Sequence, residues 1–227
     1  MKDQRKKSII LLSGGLDSAA NLALAVERDE PLLAVTADYG QRAAVPEFRA
    51  AVALSEYFGV EHQRVALPWL GSLGGNSLTD PSQDLPKISA RSLDDLAVTQ
   101  ASAKSVWVPN RNGVLLNIGA AFAEKLGAEQ VVVGFNREEA VTFPDNSEAF
   151  LRLASHSFSL STLSGVRAHS YTSQMDKREI VRTLLSQKFG GKAFPFDLLW
   201  SCYEAGPKIC GVCESCLRWE RAKQASL

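Results

Sequence analysis

The most constraining stretch of the chain is the hexapeptide Ser13-Gly14-Gly15-Leu16-Asp17-Ser18. It lies between the apolar run Ser8-Ile9-Ile10-Leu11-Leu12 and an alanine- and leucine-rich segment over residues 17–27. The run reads as a buried strand and the segment as a helix. Two consecutive glycines let the backbone turn sharply, so that successive N–H groups face one point. The positive end of the following helix faces the same point, which makes the junction an anion site. Ser13 and Ser18 add hydroxyl donors, and Asp17 can cap the helix or hold a magnesium ion that bridges phosphates. With its flanks Leu12 and Ala19, the loop is the expected phosphate cradle. It lacks the lysine of a Walker A loop and the glycine spacing of a dinucleotide fingerprint.

Strand and helix patterns continue to alternate along the chain. Residues 31–37, 60–67, 106–108, 130–134 and 166–171 read as further strands. Residues 47–58, 115–126, 147–161 and 176–189 read as helices, with stops at Gly59, Gly127 and Gly190-Gly191. Such alternation means crossover connections and a parallel sheet. Residues 68–104 interrupt it. Gly71, Gly74, Gly75, Pro81 and Pro86 sit there among serines and aspartates, and a loop of that length is a lid, a binding loop or disordered. The expected class is α/β with a mainly parallel sheet. The expected body covers residues 1–190, and residues 191–227 form a small C-terminal subdomain packed on it.

That tail holds every cysteine of the chain: Cys202, Cys210, Cys213 and Cys216. Four soft ligands this close together are the donor set of a tetrahedral zinc ion, one per chain, in a closed structural site. The Cys-x2-Cys-x2-Cys spacing also occurs in iron–sulfur proteins, which leaves a cluster as the second reading. The N-terminus is charged over residues 2–7 and runs into only a short apolar stretch, which is not a secretory signal. Clustered cysteines without a signal imply a reducing, cytoplasmic setting. No apolar run approaches the roughly 18 residues a membrane span needs, so no membrane partner is expected. Basic and acidic side chains balance at 25 each, which argues against a nucleic-acid partner.

Ser-Gly-Gly-Leu-Asp-Ser resembles the PP-loop of the ATP pyrophosphatases. Further segments narrow the resemblance: Asp38-Tyr39-Gly40-Gln41-Arg42, Val108-Pro109-Asn110-Arg111-Asn112, Gly134-Phe135-Asn136, Pro144-Asp145, Ser201-Cys202-Tyr203, and Cys210-Gly-Val-Cys-Glu-Ser-Cys216. Together these look like the QueC family of 7-cyano-7-deazaguanine (preQ0) synthases, from Ile9 to about Arg221. Two places depart from many members: Ala43 stands where a histidine is usual, and Phe143-Pro144-Asp145-Asn146-Ser147 where Tyr-Pro-Asp-Cys-Arg is usual.

The resemblance implies a doubly wound, Rossmann-like, adenine nucleotide α-hydrolase-like fold, a homodimer, and a carbon–nitrogen ligase. ATP with Mg²⁺ activates 7-carboxy-7-deazaguanine, and ammonia completes the conversion to the nitrile. A PP-loop tRNA-modifying enzyme such as a thiolase, or a ligase for another carboxylate, is the alternative. ATP is expected on residues 12–19, with Asp38 and Asn136 beside it at strand ends where ligands collect. Arg111 and Asn112 are expected at the acid, with Arg111 stabilising developing charge. Lys177 resembles the family lysine that contacts phosphate, and it joins Arg111 and Asp17 as a catalytic residue. Asp145 is expected to accept the two N–H donors of the deazaguanine edge.

Overall fold

The computed structural model describes residues 5–225, so the charged start at Lys2-Asp3-Gln4 lies outside the described residues. Five parallel strands form one sheet in the order β3-β2-β1-β4-β5: β1 Lys7–Leu11, β2 Glu30–Asp38, β3 His62–Ala66, β4 Gln130–Val132 and β5 Arg167–His169. The helices are α1 Leu16–Arg28, α2 Ala44–Phe58, α3 Pro68–Ser72, α4 Leu96–Ser105, α5 Arg111–Leu126, α6 Arg137–Ala140, α7 Glu148–Ser161, α8 Lys177–Ser186 and α9 Glu214–Gln224.

Side chains alternate across β1 and β4, as the two-residue period of a strand requires. Ile10, Leu12 and Val132 are buried with residues of α1, α2, α8 and α9. Ile9, Leu11 and Val131 are buried on the other side with residues of α5 and α7. Both faces of the central strands are covered, which is why those strands read as unbroken apolar runs. The chain reverses direction of winding between β1 and β4, and in such sheets the crevice at that switch collects ligands. The glycine loop follows β1 directly, and Gly134 lies two residues beyond β4.

Two sequence expectations need correction. Residues 106–108 are not a strand: Val106 ends α4, and Val106 and Val108 are buried with Leu70, Leu78 and Leu85 in a separate apolar cluster. A three-residue apolar run has no periodicity that separates a strand from a packed turn. Nor is 68–104 an unstructured loop. It carries α3, a 3₁₀ turn at Ala90–Ser92, and α4, which Asp95 caps by accepting from the N–H groups of Ala97 and Val98 at 3.0 and 3.2 Å. The buried residues of α4 are Thr99, Ser102 and Ala103, small or polar side chains that give no apolar stripe to read.

Beyond Gly190, Phe194, Trp219 and Ala222 are buried in the same core as Ile10 and Leu22. Among the described residues no helix is long and apolar enough to cross a membrane.

Candidate active site

Gly15 caps α1 without a side-chain hydrogen bond, so the first N–H groups of the helix are left facing the crevice. Ser13 Oγ and Ser18 Oγ lie 3.1 Å apart, and Ser18 Oγ also accepts from the Ser13 N–H at 3.2 Å. Gly14 has φ +83° and is packed against α2: a Cβ there would lie 2.7 Å from Ala50 Cβ and 2.9 Å from the Glu47 carbonyl oxygen. Its own carbonyl accepts from the Trp200 N–H at 2.9 Å, which fastens the tail to the loop. A Cβ on Gly134 would meet the backbone at Ser18 N and, at 2.6 Å, at Asp17 C. The end of β4 can therefore approach the loop only as glycine.

These elements enclose a cavity of about 250 Å³. Leu12, Ser13, Gly15, Leu16, Asp17, Ser18, Arg111, Asn112 and Lys177 line it, as the sequence places them together. Lys177, the first residue of α8, reaches Asp17 Oδ2 at 2.5 Å and Glu139 Oε1 at 2.8 Å. Burial alone would lower the Lys177 pKa; the two carboxylates outweigh it and hold the ammonium above its ordinary value. Asp17 moves the other way. Burial raises it, against the pull of Lys177, to about 6, and its Oδ1 is buried with no hydrogen-bond partner. Arg111 starts α5 behind Asn110, which has φ 52°. Its Nη1 donates to Tyr39 Oη at 3.3 Å. Burial works against its charge, but Tyr39 and Asp145 more than compensate and keep it protonated.

Other expected residues lie off the lining. Gly14 shapes the loop from behind. Ala19 is buried in α1, its N–H donating to the Gly15 carbonyl. Asp38 is held by the Arg64 guanidinium and by the Gly40 N–H. Asn136 is fully buried and caps α6, its Oδ1 accepting from the Glu139 N–H at 2.8 Å. Asp145 lies on a 3₁₀ turn, Pro144–Asn146, whose Asn146 faces the cavity instead. Asp145 Oδ1 is buried without a partner, and burial raises its pKa against the opposing Arg111 charge. Glu47, Trp200 and Tyr203 also line the cavity. Glu47 sits inside a helical pattern and carries no local sequence signal. Its carboxyl is pushed up to about 6 by burial, and its Oε2 accepts from Gln41 Nε2 at 2.8 Å.

Beside the cavity the four Sγ atoms of Cys202, Cys210, Cys213 and Cys216 all lie within 4.8 Å of one another, Cys210 and Cys216 at 3.9 Å. A tetrahedron of thiolates at about 2.3 Å from zinc has sulfur–sulfur edges of about 3.8 Å, so the donor set fits a metal ion. Backbone N–H groups of Glu204 and Cys210 donate to Cys202 Sγ, and that of Cys213 to Cys210 Sγ, each at 3.4 Å. Neighbouring thiols and these amides hold the Cys202 thiol far below its usual range.

A family model described as queuosine biosynthesis protein QueC matches residues 7–226. The chain belongs to the QueC family. Curated members named 7-cyano-7-deazaguanine synthase include one from Desulforudis audaxviator, 52% identical over 97% of each chain. Another, from Pelotomaculum thermopropionicum, is 47% identical over 97% of each chain. A third, from Methanosarcina mazei, is 45% identical over 95% of this chain and 93% of its own. The matched span, residues 7–226, contains the glycine loop, Lys177 and the cysteine tail. Among solved structures, an NMN synthetase from Francisella tularensis superposes with a TM-score of 0.48 at 16% identity, over 99% of this chain and 84% of that one.

Proposed function

We propose that this chain is an ATP-dependent carbon–nitrogen ligase that converts 7-carboxy-7-deazaguanine and ammonia to 7-cyano-7-deazaguanine. The observation that carries the reading is one cavity in which an anion-binding loop, a buried lysine and a half-buried arginine converge, in a chain of the QueC family. The triphosphate lies on residues 13–18, with the N-terminus of α1 and Lys177 neutralising it. Asp17 and Glu139 would hold Mg²⁺, which supplies charge neutralisation between phosphate oxygens when bound; the unpartnered Asp17 Oδ1 fits that role. Arg111 and Asn112 hold the acid. Asp38 and Asn136 act behind the nucleotide, one on the β2 end and one on α6, and Asp145 is offered to the N–H edge of the base.

A carboxylate resists attack by ammonia because an oxide would have to leave. Its oxygen attacks the α-phosphorus of ATP, pyrophosphate departs, and the acyl adenylate carries AMP as leaving group. Ammonia adds, AMP leaves, and an amide results. A second adenylation, at the amide oxygen, lets AMP depart again with loss of the nitrogen-bound protons, leaving the nitrile. The chain's contribution is alignment and charge stabilisation in the cavity between the loop and the tail.

The cysteine cluster holds one structural zinc. The chain works as a cytoplasmic homodimer, with residues 191–227 as a metal-bound subdomain on the 1–190 body. A thiolase needs reactive cysteines, and all four in this sequence are gathered at one metal-type site. Incubation with ATP, Mg²⁺, ammonium and 7-carboxy-7-deazaguanine, followed by mass spectrometry, should give the nitrile and AMP. A folded, metal-loaded protein yielding neither would overturn the proposal.

A further inference from the structure

Glu138 and Glu139 are neighbours on the four-residue helix α6, yet they serve different parts of the molecule. Glu139 binds the Lys177 ammonium at 2.8 Å. Glu138 turns to the C-terminal helix: its Oε1 accepts from Arg218 Nη1 and, at 2.6 Å, from Arg221 Nη2. Its second oxygen faces the backbone N–H of Lys177 at 3.5 Å. Arg218 is buried, and its other face is held by Glu214, with Nε to Oε1 at 2.8 Å. Glu214 accepts in turn from the Ser102 hydroxyl. Arg221 continues to Asp94 at 2.7 Å.

A single turn of helix has no stability of its own and takes its position from its bonds. Asn136 fixes the start of α6 and Lys177 holds its inner side. Glu138 ties it by hydrogen-bonded ion pairs to α9, the helix that begins directly after Cys213 and carries Cys216. Packing does not demand these charges. Trp219 and Ala222 already anchor α9 in the apolar core. Burying a guanidinium between two carboxylates carries a desolvation cost that apolar side chains would avoid. What the charges add is geometry: a planar guanidinium fixes a carboxylate in direction as well as in distance.

We infer that Glu138, clamped by Arg218 and Arg221, is a positioning residue through which the cysteine-bearing tail sets the placement of Lys177. The inference rests on the reading of Lys177 as a phosphate contact. The tail is then coupled to nucleotide binding without touching the nucleotide through this route.

The test is ATP affinity by calorimetry on the full metal-loaded chain, for wild type, Lys177→Met, Glu138→Gln, Arg218→Met and the Glu138→Gln/Arg218→Met double variant, with metal content measured alongside. Lys177→Met should weaken ATP at least tenfold. Each of the other single variants should weaken it about tenfold with one metal per chain retained. The double variant should be no weaker than the poorer single, because both break one linkage. Losses that multiply to about a hundredfold, or single variants that bind ATP as wild type does, overturn the inference while Lys177 keeps its role. Wild-type affinity in Lys177→Met removes the phosphate contact and the inference with it. Should Arg218→Met not fold, Arg221→Gln, on the more exposed arm of the same clamp, must show a loss that Glu138→Gln abolishes; additivity there overturns the coupling.

Discussion

Residues 12–18 and residues 200–216 supply two walls of one cavity, and they are built by different means. The first wall hangs from β1, whose Ile9 and Ile10 are wholly buried, and its shape depends on glycines pressed against backbone. The second has almost no regular structure before α9. It relies on four cysteines, a backbone bond from Trp200 to Gly14, and a bridge between Lys87 and Cys213. Apolar burial holds the first wall, and thiol chemistry with ion pairs holds the second. The contrast predicts that the walls fail separately: the second to loss of a ligand, the first to added volume.

The largest expected effect is at the second wall. Cys213→Ser should reduce bound metal from about one ion per chain to a small fraction. Structural zinc contributes roughly 10–16 kcal/mol of apparent binding free energy in small zinc modules, so the segment around it should lose order. Hydrogen exchange should show lost amide protection over residues 202–216 while the β1 and β4 amides stay protected. Simultaneous loss in both regions would mean that the walls are one cooperative unit.

Next comes the cation between the walls. Lys177→Met leaves the half-buried Asp17 and Glu139 without their partner, which should cost about 2 kcal/mol, less than for a fully buried pair. Acid-dependent exchange of pyrophosphate into ATP should fall by about 10²–10³, the magnitude of a lost electrostatic contact to a developing charge. Exchange within a few-fold of wild type would take Lys177 out of the phosphate site.

How much of this was legible in the sequence follows the same division. The glycine loop and the strand–helix alternation could be read because each rests on local rules of turn, period and cap. Lys177 was singled out through its resemblance to the family lysine, and the cysteines were legible from spacing alone. The false strand at 106–108 and the unseen α4 share one cause: their burial is set by contacts distant in sequence, with Leu70 and Leu78 in one case and Glu214 in the other. Glu47 could not be read as a cavity residue, since only the fold of α2 against Gly14 brings it there. The Glu138–Arg218 pair spans 80 residues and has no local signature.

A smaller effect separates the glycines of the two walls. Gly134→Ala places a Cβ against the backbone of Asp17 and Ser18, which cannot swing aside, and should cost about 3 kcal/mol in a urea titration. Gly211, between Cys210 and Cys213, has φ +75° but no atom within 4 Å of its would-be Cβ. Gly211→Ala should cost only the left-handed backbone strain, about 1 kcal/mol. Equal costs would erase the distinction between a wall limited by volume and one limited by ligands.

The smallest effect is a pH dependence that belongs to the first wall. Burial raises the Glu47 carboxyl from 4.5 to about 6, so between those values the folded chain holds a proton that the unfolded chain has released. Its contribution is therefore fully present below about pH 4.5 and is lost as pH rises through about 6. A shift of that size corresponds to about 2 kcal/mol, reduced to about 1 kcal/mol because the side chain is only partly buried. Asp17 titrates in an overlapping window with the same sign, so wild type alone does not isolate Glu47. The difference between wild type and Glu47→Gln does, because Asp17 is common to both. Glu47→Gln should gain on wild type by about 1 kcal/mol between pH 4.5 and pH 7.5 in paired melting curves. A constant difference across that range would mean that the Glu47 carboxyl is ionised throughout, and that the first wall carries its charge as readily as the second.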